Sequence, residues 1–310
     1  SLPLADLPLT NNSPTAILYL DTKSISDSQP LEAIKRKWPK TPILTTIAIE
    51  GDGYDLISID DISFSAMQDR IRGWERKEGA ITLENYISTI SDNSKVTIFC
   101  HDNPDPDALA SALAMSELFA SHGHSSQIVH GGTIEHHQNQ AMVRELAIPV
   151  RRLILDWEIT DLIKESDIIV AVDFHRPGAN NIMPTNCIPH IIIDHHTVDD
   201  SVTADLAMVS SEYSSTSSMV ASLLMSSDFA MNSRVATALA FGIKTDTLGF
   251  TRNFNAVDVR ALLWINAWVD KDKLRAIEMP PRSIAALESF SNALSDKQQI
   301  DKLILAPVHN

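Results

Sequence analysis

The sequence is poor in the residues that build several common kinds of protein. Cysteine occurs only twice in 310 residues, as Cys100 and Cys187, and neither belongs to a Cys-x-x-Cys pair. Two isolated thiols argue against a disulfide framework or a zinc ribbon, and they suit a reducing compartment. No apolar run approaches the ~20 residues that span a bilayer, and no signal peptide is visible at the start. We therefore expect a cytoplasmic protein that makes no use of a membrane.

Basic residues are also scarce. Lys and Arg number 25 against 40 Asp and Glu, which gives a formal net charge of −15. Such a surface argues against duplex nucleic acid as a partner. It leaves open a short nucleotide, because bound metal ions could meet its phosphates. The length is enough for two domains with a real core.

The first part of the chain predicts a small α/β unit at residues 1–78. Apolar runs predict strands at 16–20, 42–49 and 54–59, with helices at 29–38 and 64–78 between and after them. In order and spacing this unit resembles the second half of a Rossmann-like (TrkA-N-like) nucleotide-binding domain that regulates potassium transport. No Gly-x-Gly-x-x-Gly motif occurs, so an accessory layer that binds nothing is the alternative reading. Residues 79–95 predict a linker helix.

Residues 96–280 predict a larger domain. Strands are expected at 96–100, 126–130, 152–155, 167–173 and 190–194, with helices between them. Their Ile and Val runs are continuous rather than alternating, which indicates a mostly parallel sheet flanked by helices. From about residue 214 the pattern becomes helical. The fold class is therefore α/β, and residues 281–310 predict a further linker helix and a strand-like run.

One turn, between a predicted strand and a predicted helix, contains three aspartates and a histidine close together. The segment His101-Asp102-Asn103-Pro104-Asp105-Pro106-Asp107 follows the apolar strand 96–100 and precedes an apolar helix at 108–120. Open α/β sheets place ligands at this edge, and neighbouring carboxylates repel unless a cation joins them. A solvated Asp-Pro turn, with Asp107 as helix cap, is the structural alternative.

Three further segments carry acids or imidazoles. Asp173 ends one predicted strand, Asp194-His195-His196 ends another, and Asp246 lies just past an apolar helix. Because a parallel sheet gathers its strand ends along one edge, a single cleft could hold six of these side chains: His101, Asp105, Asp107, Asp173, His195 and Asp246. Oxygen and imidazole ligands without thiolates suit Mn²⁺ or Mg²⁺. Two ions bridged by a shared carboxylate would use all of them.

These segments resemble the ordered motifs of the DHH phosphoesterase family. HDNPDPDALAS, VAVDF, IIIDHH and GIKTDTLGF match its first to fourth motifs, over roughly residues 93–270. Exopolyphosphatase-related and nanoRNase-like proteins belong to this family. Many of its nucleotide-cutting members carry a second domain with a Gly-Gly-Gly-His loop. This chain has no glycine after Gly249, although residues 281–310 resemble the start of such a domain.

The resemblance implies a role for each matching residue. His101 and Asp105 would hold one Mn²⁺, Asp107 and His195 a second. Asp173 would bridge the two ions and Asp246 would complete the cluster. His196 would face the substrate phosphate, and Asp194 would orient the imidazoles. Mg²⁺ or Co²⁺ could substitute for Mn²⁺.

Residues outside the motifs leave alternatives open. Arg176 is a candidate contact for the substrate phosphate or a solvated loop arginine. The run Ser214 to Ser218 favours a helix cap over hydroxyl donation to a phosphate. His175 is read as a strand-end residue rather than a ligand.

We expect a dinuclear metal phosphoesterase that acts on a small nucleotide or short oligonucleotide by metal-activated water. The catalytic group would comprise Asp173, His196 and Asp194, with His196 and Arg176 binding substrate. The alternatives are a pyrophosphatase or exopolyphosphatase on the same ions, and a non-catalytic nucleotide sensor. The expected partner is a small phosphorylated molecule, and the chain could form a homodimer.

Overall fold

The computed structural model describes residues 17–19, 29–45, 54–56, 64–198, 202–281, 284–300 and 302–307. The chain divides into two compact units, Ser1–Thr82 and Leu83–Asn310. Among the described residues, no helix is both long and apolar enough to cross a membrane.

The first unit contains a small parallel sheet. Its strands lie in the order β1-β2-β3, with the bounds β1 Ile17–Tyr19, β2 Ile43–Thr45 and β3 Tyr54–Leu56. Helix α1 spans Gln29–Lys37, and α2 starts in this unit and spans Phe64–Ser88. Ile43 and Leu44 on β2 are almost fully buried, so the apolar run predicted this strand correctly. The remaining residues of the predicted strands (16, 20, 46–49 and 57–59) lie outside the described ranges.

The second unit is built on a six-stranded sheet in which every pair is parallel. The strand order is β6-β5-β4-β7-β8-β9, with the bounds β4 Lys95–Phe99, β5 Ser125–His130, β6 Val150–Arg152, β7 Ile168–Val172, β8 Ile191–Asp194 and β9 Leu206–Val209. The chain moves outward from β4 through β5 to β6, then returns to place β7 on the other side of β4. This reversal is a topological switch point, where open α/β sheets bind ligands.

Helices cover the sheet and complete the unit. Their bounds are α3 Pro106–Ser121, α4 His137–Glu145, α5 Asp156–Glu165, α6 Thr216–Met225, α7 Ser233–Asp246, α8 Ala256–Ile265, α9 Lys271–Glu278 and α10 Ile284–Ser295. Strands β10 (Gln298–Ile300) and β11 (Leu303–Leu305) form an antiparallel pair. The predicted α/β class, a mostly parallel sheet flanked by helices, is confirmed.

Several boundaries differ from the predictions. Strand β6 comes earlier than predicted, and β9 was not predicted. Residues 79–95 do not form a separate helix, because α2 continues to Ser88 without a break. Asp246 is the last residue of α7 rather than a residue past it.

Helices α3, α6 and α7 pack closely behind the switch point. Gly242 on α7 permits this approach, because a Cβ atom there would lie 2.3 Å from Ser217 Oγ and 3.1 Å from the Pro106 carbonyl oxygen. The start of α6 and the start of α3 therefore meet beside the carboxyl ends of β4 and β7.

Candidate metal centre

The turn after β4 is fixed by the start of α3. Asp105 is the N-cap, and its Oδ1 accepts hydrogen bonds from the backbone N of Asp107 at 2.9 Å and of Ala108 at 3.0 Å. Pro106 occupies the first turn, where its missing N–H and fixed φ cost nothing. The alternative of a solvated turn capped by Asp107 is therefore wrong, because Asp105 is the cap and Asp107 is buried in the first turn of α3. His101 and Asp107 are held beside Asp105.

Asp173 stands at the centre of the site, directly after β7. Its φ of 64° is in the left-handed region, which costs a non-glycine residue ~1–3 kcal/mol and is most often retained at functional sites. Its side chain is 3% exposed. Asp173 Oδ2 lies 3.5 Å from His101 Nε2, and Asp173 Oδ1 lies 3.7 Å from His195 Nε2. The two oxygens thus face two different imidazoles.

His195 connects Asp173 to the remaining acids. It follows β8, and its Nε2 lies 3.6 Å from Asp246 Oδ2 and 3.9 Å from Asp107 Oδ2. Three overlapping sets of potential ligands result: His101 with Asp105 and Asp173, Asp107 with His195 and Asp246, and Asp173 with His195 and His196. Within each set the ligand atoms lie within 4.8 Å of one another. The structure therefore brings together all six residues for which a metal role was predicted.

Asp194 holds the second imidazole of its motif. Its carboxylate is fully buried and accepts a hydrogen bond from His196 Nδ1 at 2.7 Å and a short one from His175 Nδ1. Burial acts to raise the pKa of Asp194, but the bonds from His196 and His175 hold it below its ordinary value. The bond to Asp194 in turn raises the pKa of His196 to about 9. His196 is half-exposed, and its Nε2 is left for a ligand. The contact of His175 was not foreseen from the sequence.

The amino end of α6 positions two of the acids. The backbone N of Thr216 donates to Asp107 Oδ2 at 2.7 Å, and that of Ser217 donates to Asp107 Oδ1 at 2.6 Å. The Thr216 hydroxyl donates to Asp173 Oδ1 at 2.7 Å. Ser215 caps the helix by accepting from Ser218 N at 3.0 Å, as the serine run predicted. The role of Thr216 was missed, and its one signal was a hydroxyl run at the start of an apolar helix.

The electrostatics of the cluster favour a bound cation. Burial and the negative charges of Asp173, Asp105 and Asp246 raise the pKa of Asp107 well above its usual range. Burial acts to lower the pKa of His101, but hydrogen bonds to Asp105 and Asp173 outweigh it and raise that pKa to about 10. The cluster thus retains protons to offset its own negative charge, and divalent ions could take their place.

Cys100 borders the cluster without offering a ligand. Its thiol is fully buried and donates to the Ala108 carbonyl oxygen at 3.7 Å. Burial, reinforced by the charges of Asp173 and Asp105, raises the pKa of this thiol. The donor set is therefore carboxylate oxygen and imidazole nitrogen, which suits Mn²⁺, Mg²⁺ or similar divalent ions.

A cavity of about 360 Å³ adjoins the centre. It is lined by His195, His196, Thr197, Ser211, Tyr213, Ser214, Asp246, Arg252, Asn253 and Asn255. Arg176, the predicted phosphate contact, is exposed and is not among these lining residues. Its backbone carbonyl oxygen accepts from Asn181 Nδ2 at 2.8 Å, and its role stays a prediction. Arg252 also lines the cavity, and its position there was not predicted from the sequence.

A parallel sheet with histidines and aspartates at its switch point defines an α/β domain with a candidate metal centre. The profile described as "DHH family, N-terminal domain" matches residues 95–243. This segment, a little less than half of the chain, is therefore similar to the N-terminal domain of the DHH family, whose members are metal-dependent phosphoesterases. The resemblance predicted from the four motifs is confirmed.

Curated relatives share this segment. An uncharacterised protein of Methanocaldococcus jannaschii is 34% identical over 203 residues, covering 66% of this chain and 41% of the relative. A cyclic-di-AMP phosphodiesterase of Geobacillus thermodenitrificans is 28% identical, covering 52% and 26%. A probable manganese-dependent inorganic pyrophosphatase of Enterococcus faecalis is 24% identical, covering 51% and 49%. The chain thus spans about half or less of the length of these relatives.

A solved structure shares the fold. An exopolyphosphatase-related protein from Bacteroides fragilis superimposes with a TM-score of 0.56 at 22% sequence identity, covering 72% of this chain and 66% of that protein. At this identity the likeness concerns the fold alone.

Proposed function

We propose that this protein is a dinuclear metal phosphoesterase that hydrolyses a phosphodiester or phosphomonoester of a small nucleotide or short oligonucleotide. The observation that carries the proposal is the position of Asp173. Its two carboxylate oxygens face His101 and His195, which belong to separate sets of ligands. A carboxylate placed between two such sets is the arrangement that a pair of bridged ions requires.

The residues present fit a pair of Mn²⁺ ions. His101 and Asp105 would hold one ion, Asp107 and His195 the other, with Asp173 shared and Asp246 completing the second set. Hard oxygen donors mixed with imidazole favour Mn²⁺, and Mg²⁺ or Co²⁺ can occupy similar sites. The name of the Enterococcus faecalis relative supports manganese.

In the proposed reaction the ions would activate water, and the side chains of the protein would position the ions and the substrate phosphate. When bound, the ions lower the pKa of water and attract phosphoryl oxygens. The chain fixes the donors in advance, because α6 holds Asp107 and Asp173 through three hydrogen bonds. His196, kept protonated by Asp194, would donate from Nε2 to a phosphoryl oxygen and offset the charge that develops there.

A nucleotide is favoured as substrate by the size of the adjoining cavity and by one relative. Its volume, about 360 Å³, falls in the range of ~300–1,000 Å³ typical of sites for small organic ligands. The Geobacillus thermodenitrificans relative is named as a cyclic-di-AMP phosphodiesterase. The pyrophosphatase relative favours the second candidate, hydrolysis of pyrophosphate on the same ions.

The test is metal-dependent hydrolysis by protein first dialysed against EDTA. We expect Mn²⁺ to restore release of p-nitrophenol from bis-p-nitrophenyl phosphate, with less restoration by Mg²⁺. Phosphate release from pyrophosphate alone would favour the second candidate. A lack of turnover of either compound with Mn²⁺, Mg²⁺ or Co²⁺ would refute the enzyme and favour the nucleotide sensor.

The flanking segments carry further proposals. The N-terminal unit would be a partial nucleotide-binding domain, and residues 281–310 would open a substrate-binding domain. Assembly as a homodimer and residence in the cytoplasm belong with them. Equilibrium dialysis with labelled nucleotides and analytical ultracentrifugation would test the first and third of these.

A further inference from the structure

Asp194 holds two imidazoles, each through a different oxygen of its carboxylate. Oδ1 accepts a hydrogen bond from His196 Nδ1 at 2.7 Å, and Oδ2 accepts a short one from His175 Nδ1. The Asp194 side chain is 0% exposed, so bulk water does not reach either oxygen. An oxygen that lost its donor here would stay unpaired, which is costly for a buried charge. The orientation of Asp194, and with it that of His196, therefore depends on both imidazoles.

His175 reaches Asp194 because the chain turns two residues earlier. Asp173 is still tied to the neighbouring strand, since its backbone N donates to the Ile193 carbonyl oxygen at 2.9 Å. Its left-handed φ of 64° then turns the chain. Phe174 packs into the core at 4% exposure, and the side chain of His175 is 12% exposed against Asp194. His175 thus lies among packed residues rather than in solvent.

The loop that carries His175 is fixed at two further points. Asn181 is 6% exposed, and its Oδ1 accepts from the backbone N of Met183, a core residue, at 3.2 Å. The carbonyl oxygen of Asn180 accepts from Asp102 N, in the turn after β4, at 2.7 Å. The loop is therefore anchored to the core and to the turn beside the candidate metal centre, so the His175 imidazole has a firm support.

We propose that His175 is a positioning residue, which fixes the carboxylate of Asp194 and thereby holds His196 in the orientation that meets the substrate phosphate. His175 belongs to none of the three sets of potential metal ligands. The inference rests on the proposed function, since His196 must donate to a phosphoryl oxygen. The contact of His196 would strengthen as charge develops in the transition state, so loss of His175 should lower kcat rather than raise KM.

The first test is a double-mutant cycle with bis-p-nitrophenyl phosphate and Mn²⁺. His175→Leu removes the donor at similar volume, and we expect kcat to fall about 10–100-fold. KM and the Kd for Mn²⁺ should stay within about twofold of wild type. His175→Asn, whose amide can donate from near the position of Nδ1, should restore most of kcat. In a His196→Ala background, His175→Leu should cost less than about twofold more, because its effect passes through His196.

The second test is spectroscopic and needs no turnover. The His196 Nδ1 proton, shared with a carboxylate, should give a downfield signal in protein labelled with ¹⁵N-histidine and recorded without paramagnetic Mn²⁺. Its absence in His196→Ala would assign it. In His175→Leu the signal should shift upfield and exchange faster with water. If circular dichroism shows that leucine prevents folding, His175→Ala takes its place in both tests, with the same expected results.

His122→Leu is the matched control. The His122 imidazole also engages through Nδ1, at 3.0 Å from the Leu118 carbonyl oxygen, but it lies at the opposite end of α3 from the metal ligands. This variant should keep the wild-type kcat and the wild-type His196 signal.

Two results would overturn the positioning role while Mn²⁺-dependent hydrolysis by the wild type still supported the enzyme. One is a double variant in which the losses from His175→Leu and His196→Ala multiply. The other is an unchanged His196 signal in His175→Leu. If the wild type hydrolysed neither bis-p-nitrophenyl phosphate nor pyrophosphate, the proposed function would be refuted, and a role for His175 in the reaction with it.

Discussion

Thr216 joins Asp173 to the helix that also holds Asp107. Its hydroxyl donates to Asp173 Oδ1 at 2.7 Å, and its backbone N donates to Asp107 Oδ2 at the same distance. Both acids are almost fully buried, at 3% and 1% exposure. A single residue at a helix amino end thus fixes one carboxylate that follows β7 and one in the first turn of α3. The dipole of α6 adds to their stabilisation.

Replacing Thr216 by valine should weaken metal binding. Valine keeps the shape of the side chain but lacks the hydroxyl. Asp173 Oδ1 then loses a hydrogen-bond donor, and the carboxylate is held less firmly. Hydrogen bonds to charged groups contribute ~1.5–3 kcal/mol, which corresponds to roughly a tenfold or larger rise in the Kd for Mn²⁺, measured by titration calorimetry. Thr216→Ser, which retains the donor, should restore most of the affinity.

Ser222→Ala provides the matched control for Thr216→Val. Ser222 is a buried hydroxyl on the same helix, and it donates to the Ser218 carbonyl oxygen at 2.8 Å rather than to a carboxylate. Its loss should leave the Kd for Mn²⁺ within about twofold of wild type. Equal Kd values for Thr216→Val and wild type would contradict the positioning role of Thr216.

Asp173→Asn should remove the link between the two sets of ligands. Asparagine tolerates the left-handed backbone at this position, so the fold should persist while the bridging charge is lost. We expect bound Mn²⁺ to fall from two ions to one or fewer by atomic absorption after gel filtration. Since loss of a partner that only supports a ligand costs 10–100-fold, activity on bis-p-nitrophenyl phosphate should fall at least about 100-fold.

Asp173→Ala should lose the metals in the same way and should also lose stability, because alanine is less suited to a positive φ. Circular dichroism spectra of both variants would show whether they fold. Full turnover and two bound ions in either variant would refute a bridging role for Asp173.

The sheet and most residues of the candidate metal centre could be predicted from the sequence, because buried parallel strands leave a clear apolar pattern. The strands that are buried on both faces are continuous Ile and Val runs, so their ends, and hence His101, Asp173 and His195, could be located. Strand β9 was missed because the edge strand Leu206–Val209 is only partly buried and short. Thr216 was missed because its role arises from the packing of α6 against α3 and β7, which local patterns do not encode.

Gly242→Ala tests whether close helix packing supports the centre. The new Cβ atom would lie 2.3 Å from Ser217 Oγ and 3.1 Å from Ser217 Cβ, so the start of α6 must move away from α7. Overpacking of this kind costs ~1–3 kcal/mol. We expect a lower midpoint of urea unfolding together with a higher Kd for Mn²⁺, because Ser217 N holds Asp107.

Gly123→Ala separates the two effects of the Gly242 substitution. Gly123 has a φ of 84° with open space around its Cα, so alanine there should destabilise the fold through backbone strain alone. Its Kd for Mn²⁺ should match wild type. A Gly242→Ala protein that lost stability but kept wild-type affinity would separate the packing of α6 from the metal centre.

Asp246→Asn should change stability with opposite signs in the absence and presence of metal. The pKa of Asp246 is raised in the folded protein by burial and by the charges of Asp105 and Asp173, against the opposing charge of His195. An acid whose folded pKa is raised destabilises the fold when it ionises as pH rises above its unfolded pKa. The neutral amide removes that cost near pH 7, so metal-free Asp246→Asn should melt at least as high as metal-free wild type.

With Mn²⁺ the order should reverse. Ions at about 100 times their Kd stabilise the folded state by ~2.7 kcal/mol, which for a domain of this size raises the melting temperature by roughly 5–10 °C. Asp246→Asn lacks one ligand, so its Mn²⁺-induced shift should be less than half that of wild type in differential scanning calorimetry. Asp228→Asn makes the same chemical change at an exposed site and should follow wild type in both conditions. If metal-free Asp246→Asn melted well below wild type, the carboxylate would be stabilising the fold without any cation, and the charge repulsion that argues for a metal pair would not exist.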